Sequence, residues 1–250
     1  MKKILVPSLI ALALGSVSGL AQAQAAAPES SLSFNVGAVS DYRYRGISQS
    51  RLKPAVQGGV DYADKSGFYV GAWGSTIKWI KDTPGVTKGA TELDLYAGYK
   101  GAVGDVAYDV GFLRYQYLGN NYANYGVNAN TNEIYGAATF GVVTAKYSHA
   151  VSNLFGNIDS KNSYYLDLSA AFDLGNGFSL TPHVGYQKIK NVTDDAGSYT
   201  DYALTLTKDL GNGLSATAAV VGTDADETFY TLKDKFNGKT GLVVGLKYAF

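Results

Sequence analysis

At 250 residues, with 46% hydrophobic content and a formal net charge of zero, the chain has the length of one ordinary domain or one mid-sized barrel. The absence of cysteine excludes disulfide scaffolds, thiolate metal sites, cysteine nucleophiles and lipidation at an N-terminal Cys. With Lys plus Arg equal to Asp plus Glu at 21 each, there is no basic excess to hold nucleic acid through its phosphates.

Tyrosine supplies 20 residues against 10 Phe and 2 Trp, and glycine supplies 30. An apolar ring with a wet tip suits a membrane interface, and glycine suits tight turns, although a β-rich secreted protein has an equal claim to this composition. Residues 1–25 read as a secretory signal: Lys2 and Lys3, an apolar run from Ile4 to Leu20, then Ala21-Gln22-Ala23 and Ala23-Gln24-Ala25 as small-x-small cleavage sites. The expected mature unit is a single domain over 26–250. Beyond the leader no run approaches the roughly 18 apolar residues of a transmembrane helix, so a membrane crossing here is made by β-strands.

The first expected strand, Leu32 to Ser40, alternates Leu32, Phe34, Val36 and Ala38 against Ser33, Asn35, Gly37 and Val39. Continued through DYRYRGISQS (41–50), it places Tyr42 and Tyr44 on the lipid side and Asp41, Arg43 and Arg45 inward. The second, Pro54 to Ala63, sets Val56, Val60 and Tyr62 against Gln57, Gly59 and Asp61. The segments DYRYRGISQS, PAVQGGVDY (54–62) and SGFYVGAWGSTI (66–77), after a leader and before an aromatic-terminated last strand, resemble the TorF-type porin family of proteobacteria. The resemblance implies an outer-membrane β-barrel with a pore function of unestablished substrate, and it supplies no catalytic residues.

The third strand, Phe68 to Trp79, has no settled facing, because Phe68 and Val70 compete with Tyr69, Trp73 and Ile77, and a β-bulge could switch faces midway. The fourth, Thr91 to Lys100, sends Leu93, Leu95, Ala97 and Tyr99 outward and Glu92, Asp94, Tyr96 and Gly98 inward; the fifth sets Val106, Tyr108, Val110 and Phe112 against Ala107, Asp109 and Gly111. A polar outer loop over 118–130 leads to strands six and seven, with Lys146 inward, and the eighth sets Tyr164, Leu166, Leu168, Ala170 and Phe172 against Tyr165, Asp167, Ser169 and Ala171. Asp173-Leu174-Gly175-Asn176-Gly177 returns as Asp209-Leu210-Gly211-Asn212-Gly213, and each Asn-Gly supplies the φ > 0 positions of a tight hairpin. Strand nine points His183 inward and carries an awkward interior Pro182, strand ten sends Tyr202, Leu204 and Leu206 outward, and strand eleven is small and apolar on both faces.

The last strand shows Leu242, Val244, Leu246, Tyr248 and Phe250 on one parity and Lys247 on the other, which makes it the barrel-closing partner of the Leu32 to Ser40 strand. About twelve strands with alternating short and long connections give an all-β, up-and-down antiparallel transmembrane barrel, with ten and fourteen as neighbouring counts and both termini on the periplasmic side.

The expected lumen holds Asp41, Arg43, Arg45, Asp61, Asp94, Asp109, Lys146, Asp167, His183 and Lys247. Opposed charges in a narrow wet passage select ions and polar solutes, and the same residues serve equally as a salt-bridged plug. No catalytic, cofactor or metal residues are expected. Ser148 and His149 are adjacent and so face opposite sides of a strand, and the acids Asp194, Asp195, Asp224, Asp226 and Glu227 lack the spacing of a calcium loop. The reading is a porin in the outer membrane of a Gram-negative bacterium. Its partners are membrane lipids, lipopolysaccharide, the barrel assembly machinery and small polar solutes or ions. The alternatives are a closed structural or ligand-binding barrel acting through its Tyr/Asn-rich loops, and, further off, a lipid-modifying enzyme. A soluble β-sandwich is the rival fold.

Overall fold

The computed structural model describes residues 30–124 and 126–250. The expected leader at 1–25 and the start of the mature domain up to residue 29 lie outside the described residues, as does Tyr125 in the third long loop. Among the described residues one antiparallel sheet closes on itself. Its strands, in chain order, are β1 (Ser31–Val39), β2 (Ala55–Ala63), β3 (Phe68–Thr76), β4 (Thr91–Val103), β5 (Val106–Tyr117), β6 (Thr131–Phe140) and β7 (Val143–Ala150). They continue as β8 (Tyr164–Ala170 and Phe172–Gly175), β9 (Phe178–Lys188), β10 (Tyr199–Gly211), β11 (Leu214–Thr223) and β12 (Gly241–Ala249). Each strand pairs with the next, and β12 returns to β1, with Gly37 opposite Lys247 and Val36 opposite Tyr248. The expected pairing of the last strand with the Leu32 to Ser40 strand, with Lys247 turned inward, is the one observed.

Alternation decides which face each side chain takes. Val56 (60% exposed), Phe68 (62%) and Leu242 (67%) stand on the outside, whereas Gln57, Glu92 and Lys247 turn inward and are buried. A continuous apolar exterior of this extent is incompatible with water and fits a bilayer, where closure satisfies every backbone donor and acceptor of the sheet. No helix among the described residues is long and apolar enough to cross a membrane.

The exterior carries two aromatic girdles. Phe34, Phe68, Tyr99, Tyr108, Tyr248 and Phe250 ring the end with short turns, in contacts such as Phe68–Tyr99 at 4.9 Å and Phe34–Phe250 at 5.8 Å between ring centroids. Tyr147, Tyr164 and Tyr186 form a row toward the other end, 5.9 and 6.3 Å apart. Rings with a polar tip settle at such depths because headgroups and water meet the hydrocarbon there.

Several expectations are corrected or settled. β1 ends at Val39, so Tyr42 and Tyr44 are not on the lipid side; Tyr42 is 2% exposed inside the barrel. The chain leaves the sheet at Ser40 because a short ribbon, Arg43–Tyr44 paired with Ile47–Ser48, folds into the lumen around Arg45 and Gly46, both at positive φ (47° and 79°). β3 contains no face-switching bulge: its unbroken register with β2 and β4 sends Phe68 and Val70 outward and buries Trp73 inside. Trp79, expected at the end of that strand, instead begins a one-turn helix, Trp79–Asp82. Pro182 sits within β9 and faces lipid. β8 is interrupted at Ala171, and the rungs on either side, Ser169 opposite His183 and Phe172 opposite Leu180, set the break against Pro182, where a ladder donor is missing.

The turns follow their sequences. Asn176 and Gly177 take φ of 51° and 75°, and Asn212 and Gly213 take 52° and 81°, as the near-repeat requires. In the β2–β3 turn the Asp64 carboxylate accepts hydrogen bonds from the Ser66 backbone N–H, the Ser66 hydroxyl and the Ser30 hydroxyl. The Ser66 side-chain bond leads in lowering the Asp64 pKa to about 2. Because the folded value is depressed, this turn's contribution is complete above the ordinary carboxylate range and is lost as pH falls through about 2. Melting curves of the protein in detergent between neutral pH and pH 2 should therefore show an acid loss that Asp64→Asn makes smaller; equal acid losses would show the carboxylate to be unbonded in solution.

Candidate functional site

The lumen divides into two levels. Toward the long loops it is filled by a strap, residues 41–53, folded in from the β1–β2 connection. Arg45 at its tip reaches across to β6 and β9: its guanidinium donates to both Glu133 carboxylate oxygens at 3.1 and 2.8 Å and to Gln187 Oε1 at 2.6 Å. It also stacks over the rings of Tyr44 and Tyr165, 4.8 and 4.4 Å from their centroids. Arg45 is 3% exposed, so its charge is neutralised by a two-pronged ion pair that no single-pronged lysine contact would match.

Arg43 ties the same strap to the last long loop. It pairs with Asp41 at 2.5 Å and donates to the carbonyls of Gly46 and Lys239, while Asp41 also accepts from Ser48 and Ser50. The Tyr42 hydroxyl donates to Glu92 at 2.6 Å, and its ring packs edge-on against Trp73. The Tyr44 and Tyr115 hydroxyls are bonded to each other, and Tyr115 donates to Glu133. Arg51 is ion-paired to Asp82 on the one-turn helix, which anchors the far end of the strap to the β3–β4 loop. The anchors outside the strap lie on β4, β5, β6, β9 and two of the long loops, so several separate elements fix it.

Toward the short turns the lumen is less filled. Asp61, Asp109 and Lys146 are half-buried there, and Asp94 is half-buried higher on β4 with its Oδ1 unpartnered among the described residues. Tyr96 donates to Asp61 and Tyr69 donates to Asp109, Tyr69 and Tyr135 are hydroxyl-bonded, and the Lys146 ammonium lies 4.1 Å from the centre of the Tyr135 ring. A glycine on the neighbouring strand underlies each of these rings. A Cβ at Gly71 would stand 2.4 Å from the Tyr96 ring, and one at Gly98 2.3 Å from the Tyr69 hydroxyl. Inward glycines thus let tyrosines lie flat along the wall, a use of both residue types that their abundance alone had assigned to turns and girdles.

Between the levels, His183 Nε2 is 2.9 Å from Asp167 and 3.1 Å from the Tyr165 hydroxyl, and Tyr165 also donates to Asp201. Asp167, His183 and Lys247, like Asp41, Arg43 and Arg45, are less than 9% exposed. The alternation turns Glu92 and Gln187 inward but does not mark them as anchors, and Glu133 and Asp201 go unassigned, although their inward parity was available in the alternation of β6 and β10. Their partners were not, because strap-to-wall pairing joins residues as far apart as Arg45 and Gln187.

The remaining chemistry is at the periphery. Ser148 is buried inside and His149 faces out, bonded to Tyr147 and Asn162, so the two stand on opposite faces of β7. Asp224 and Asp226 accept backbone N–H bonds from Thr200 and Phe229, and Asp195 is ion-paired to Lys188. No group of three metal-ligating side chains forms among the described residues.

A closed twelve-stranded sheet with an apolar belt, two aromatic girdles and a charged interior defines a membrane-spanning β-barrel of porin architecture. The chain belongs to the family described as "Bacterial protein of unknown function (Gcw_chp)", whose model matches residues 22–250. No curated protein matches it in sequence. Among solved structures it is similar to the KdgM porin, at 9% identity and a TM-score of 0.56 over 87% of this chain and 99% of that one. It is similar also to the NanC porin (11%, 0.55, 87% and 99%) and to the COG4313 outer membrane channel from Pseudomonas putida F1 (12%, 0.53, 90% and 96%). At such identities the likeness establishes the shared fold.

Proposed function

We infer that this protein is an outer-membrane channel of a Gram-negative bacterium that passively conducts ions or small polar solutes and is held narrow toward its long loops by the 41–53 strap. The observation that carries the reading is the charged, incompletely filled interior inside an apolar exterior: Asp61, Asp109 and Lys146 remain half-buried inside a barrel whose outer face carries a broad apolar belt. Buried charge adds little stability that close-packed apolar side chains would not supply, so this arrangement favours a passage over a solid core. The TorF-type resemblance of the first three strand segments supports the same reading, and so does the porin fold of the structural neighbours. Residues 1–25 then serve as the export leader, the long loops meet lipopolysaccharide, and β12 is the strand offered to the assembly machinery.

A second reading, a closed barrel acting through its loops, is favoured by the near-complete burial of Tyr42 and Arg45 in the strap. Lipid hydrolysis is not supported, since His183 is held by Asp167 and Tyr165 inside the lumen, away from the lipid face. Planar-bilayer recording on refolded protein separates the first two. The channel reading expects discrete conductance steps whose ion preference changes when Arg43 and Arg45 are both replaced by alanine. A silent bilayer at protein densities that insert well would support the closed barrel.

A further inference from the structure

The strap does not fill the lumen evenly. Bulky rings, among them Trp73, Tyr96, Tyr115 and Tyr165, crowd the wall formed by β3 to β8, and the strap leans the same way, through the Tyr42 hydrogen bond to Glu92 and the Arg45 ion pair with Glu133. The opposite wall is built from small side chains. Past Tyr199 and Asp201 at the long-loop end of β10, the inward positions of β10 and β11 run Ala203, Thr205 and Ser215, Thr217, Ala219, Val221, and β12 contributes Val243 and Gly245 before Lys247. A Cβ on Gly245 would already come within 2.9 Å of the Thr217 hydroxyl.

A cleft lies between the strap and this wall, bounded by Tyr42 and Arg43 on one side and by Thr205, Thr217, Ala219 and Val243 on the other. The space open to the centres of water molecules is about 30 Å³, and since one water needs roughly 10–15 Å³ by that measure, it takes about two in file. Two buried polar atoms on this wall have no partner among the described residues: Thr205 Oγ1, which lines the cleft, and Lys247 Nζ, four residues along β12 from the lining Val243 toward the short turns. Two carboxylates stand close by, Asp41 in the lining of the cleft and Asp61 within electrostatic reach of Lys247, and each already has a partner. Arg43 is paired with Asp41, and Asp61 accepts from Tyr96. Unpartnered buried polar groups beside a water-sized cleft mark where mobile water and ions would be bound.

Resting on the channel reading above, we propose that the conduction path runs along the small-residue wall of β10, β11 and β12, past the strap's Arg43 face, and that Lys247 near its short-turn mouth gives the path a preference for anions. The tyrosine-lined wall is then a structural half of the lumen, and a residue on the closing strand shares the selectivity with the strap's arginines.

Because the chain has no cysteine, single cysteines report the path without background. Thr217→Cys and Ala219→Cys, with Ser148→Cys on the crowded wall as control, would be refolded, checked for folding by heat-shifted electrophoretic mobility, and exposed to a small charged methanethiosulfonate reagent during bilayer recording. The expected result is rapid modification at 217 and 219 with loss of at least half of the conductance, and no change at 148. Lys247→Gln should lower the anion-to-cation permeability ratio several-fold, and Lys247→Arg should retain it. Wild-type conductance with unreactive cysteines at 217 and 219, or equal block at 148, would overturn the path while leaving the channel reading intact. A wild-type protein that never conducts would overturn the channel reading and the path with it.

Discussion

Replacing Arg45 with alanine is expected to destabilise the folded barrel by about 3–5 kcal/mol, the range for removing one partner of a buried ion pair, and to raise conductance. The cost arises because Glu133, 1% exposed, loses both guanidinium bonds and keeps its charge in a site with little water, while Gln187 Oε1 loses its donor. The tip of the strap also loses two stacked rings. The companion variant isolates the cause: Arg45→Met combined with Glu133→Leu removes both charges and should recover most of the stability, since a well-packed apolar pair replaces a buried ion pair at little net cost. Equilibrium unfolding in detergent or lipid measures both. A loss below about 1 kcal/mol for Arg45→Ala would mean a solvated, surface-like pair and a strap that is mobile rather than fixed.

Removing Tyr248 to Phe250 should abolish assembly. The three residues supply the reciprocal backbone pair between Phe34 and Phe250 at 2.9 and 3.0 Å and the Ala249 N–H bond to the Gly213 carbonyl. Their rings form the Phe34–Phe250–Tyr248 stack at the outer edge, 5.8 and 5.4 Å between centroids. Without them the seam between β1 and β12 opens at the short-turn end and leaves unpaired backbone groups facing hydrocarbon, at several kcal/mol each. The truncated chain is expected to show no heat-shifted folded band and to be degraded on expression. Phe250→Ala alone keeps the backbone pair, so it should fold with reduced yield. A truncated barrel that folded normally would place the closing contacts elsewhere in the seam.

The barrel was legible because period-two alternation in lipid leaves few options: an apolar residue out against mostly small or polar residues in recurs along the strands, the Asn-Gly turns follow from local chemistry, and closure of an even-numbered barrel pairs the last strand with the first. The strap was not. Asp41 to Ser50 continues the alternation of β1 with Tyr42 and Tyr44 on its apolar parity, and periodicity alone extends the strand through them. What overrides it is tertiary: Arg45 and Gly46 at positive φ turn the chain back, and carboxylates on β4 and β6 collect Tyr42 and Arg45 from far along the sequence. Tyrosine was read for its interfacial fitness and was half right. Tyr147, Tyr164 and Tyr186 ring the exterior, but Tyr69, Tyr96 and Tyr135 lie across inward glycines, which no single strand's pattern reveals. The smallness of β11 was visible in the sequence, yet its meaning depended on knowing that the opposite wall is crowded.

The central claim, a polar barrel constricted by an inward strap, is tested most directly by single-channel recording of the wild type beside a variant in which residues 41–53 are replaced by a short Gly/Ser connection. The account predicts small, discrete steps for the wild type and steps several-fold larger, with weaker ion preference, for the variant. Equal conductance in the two, or silence in both despite confirmed insertion, would contradict it.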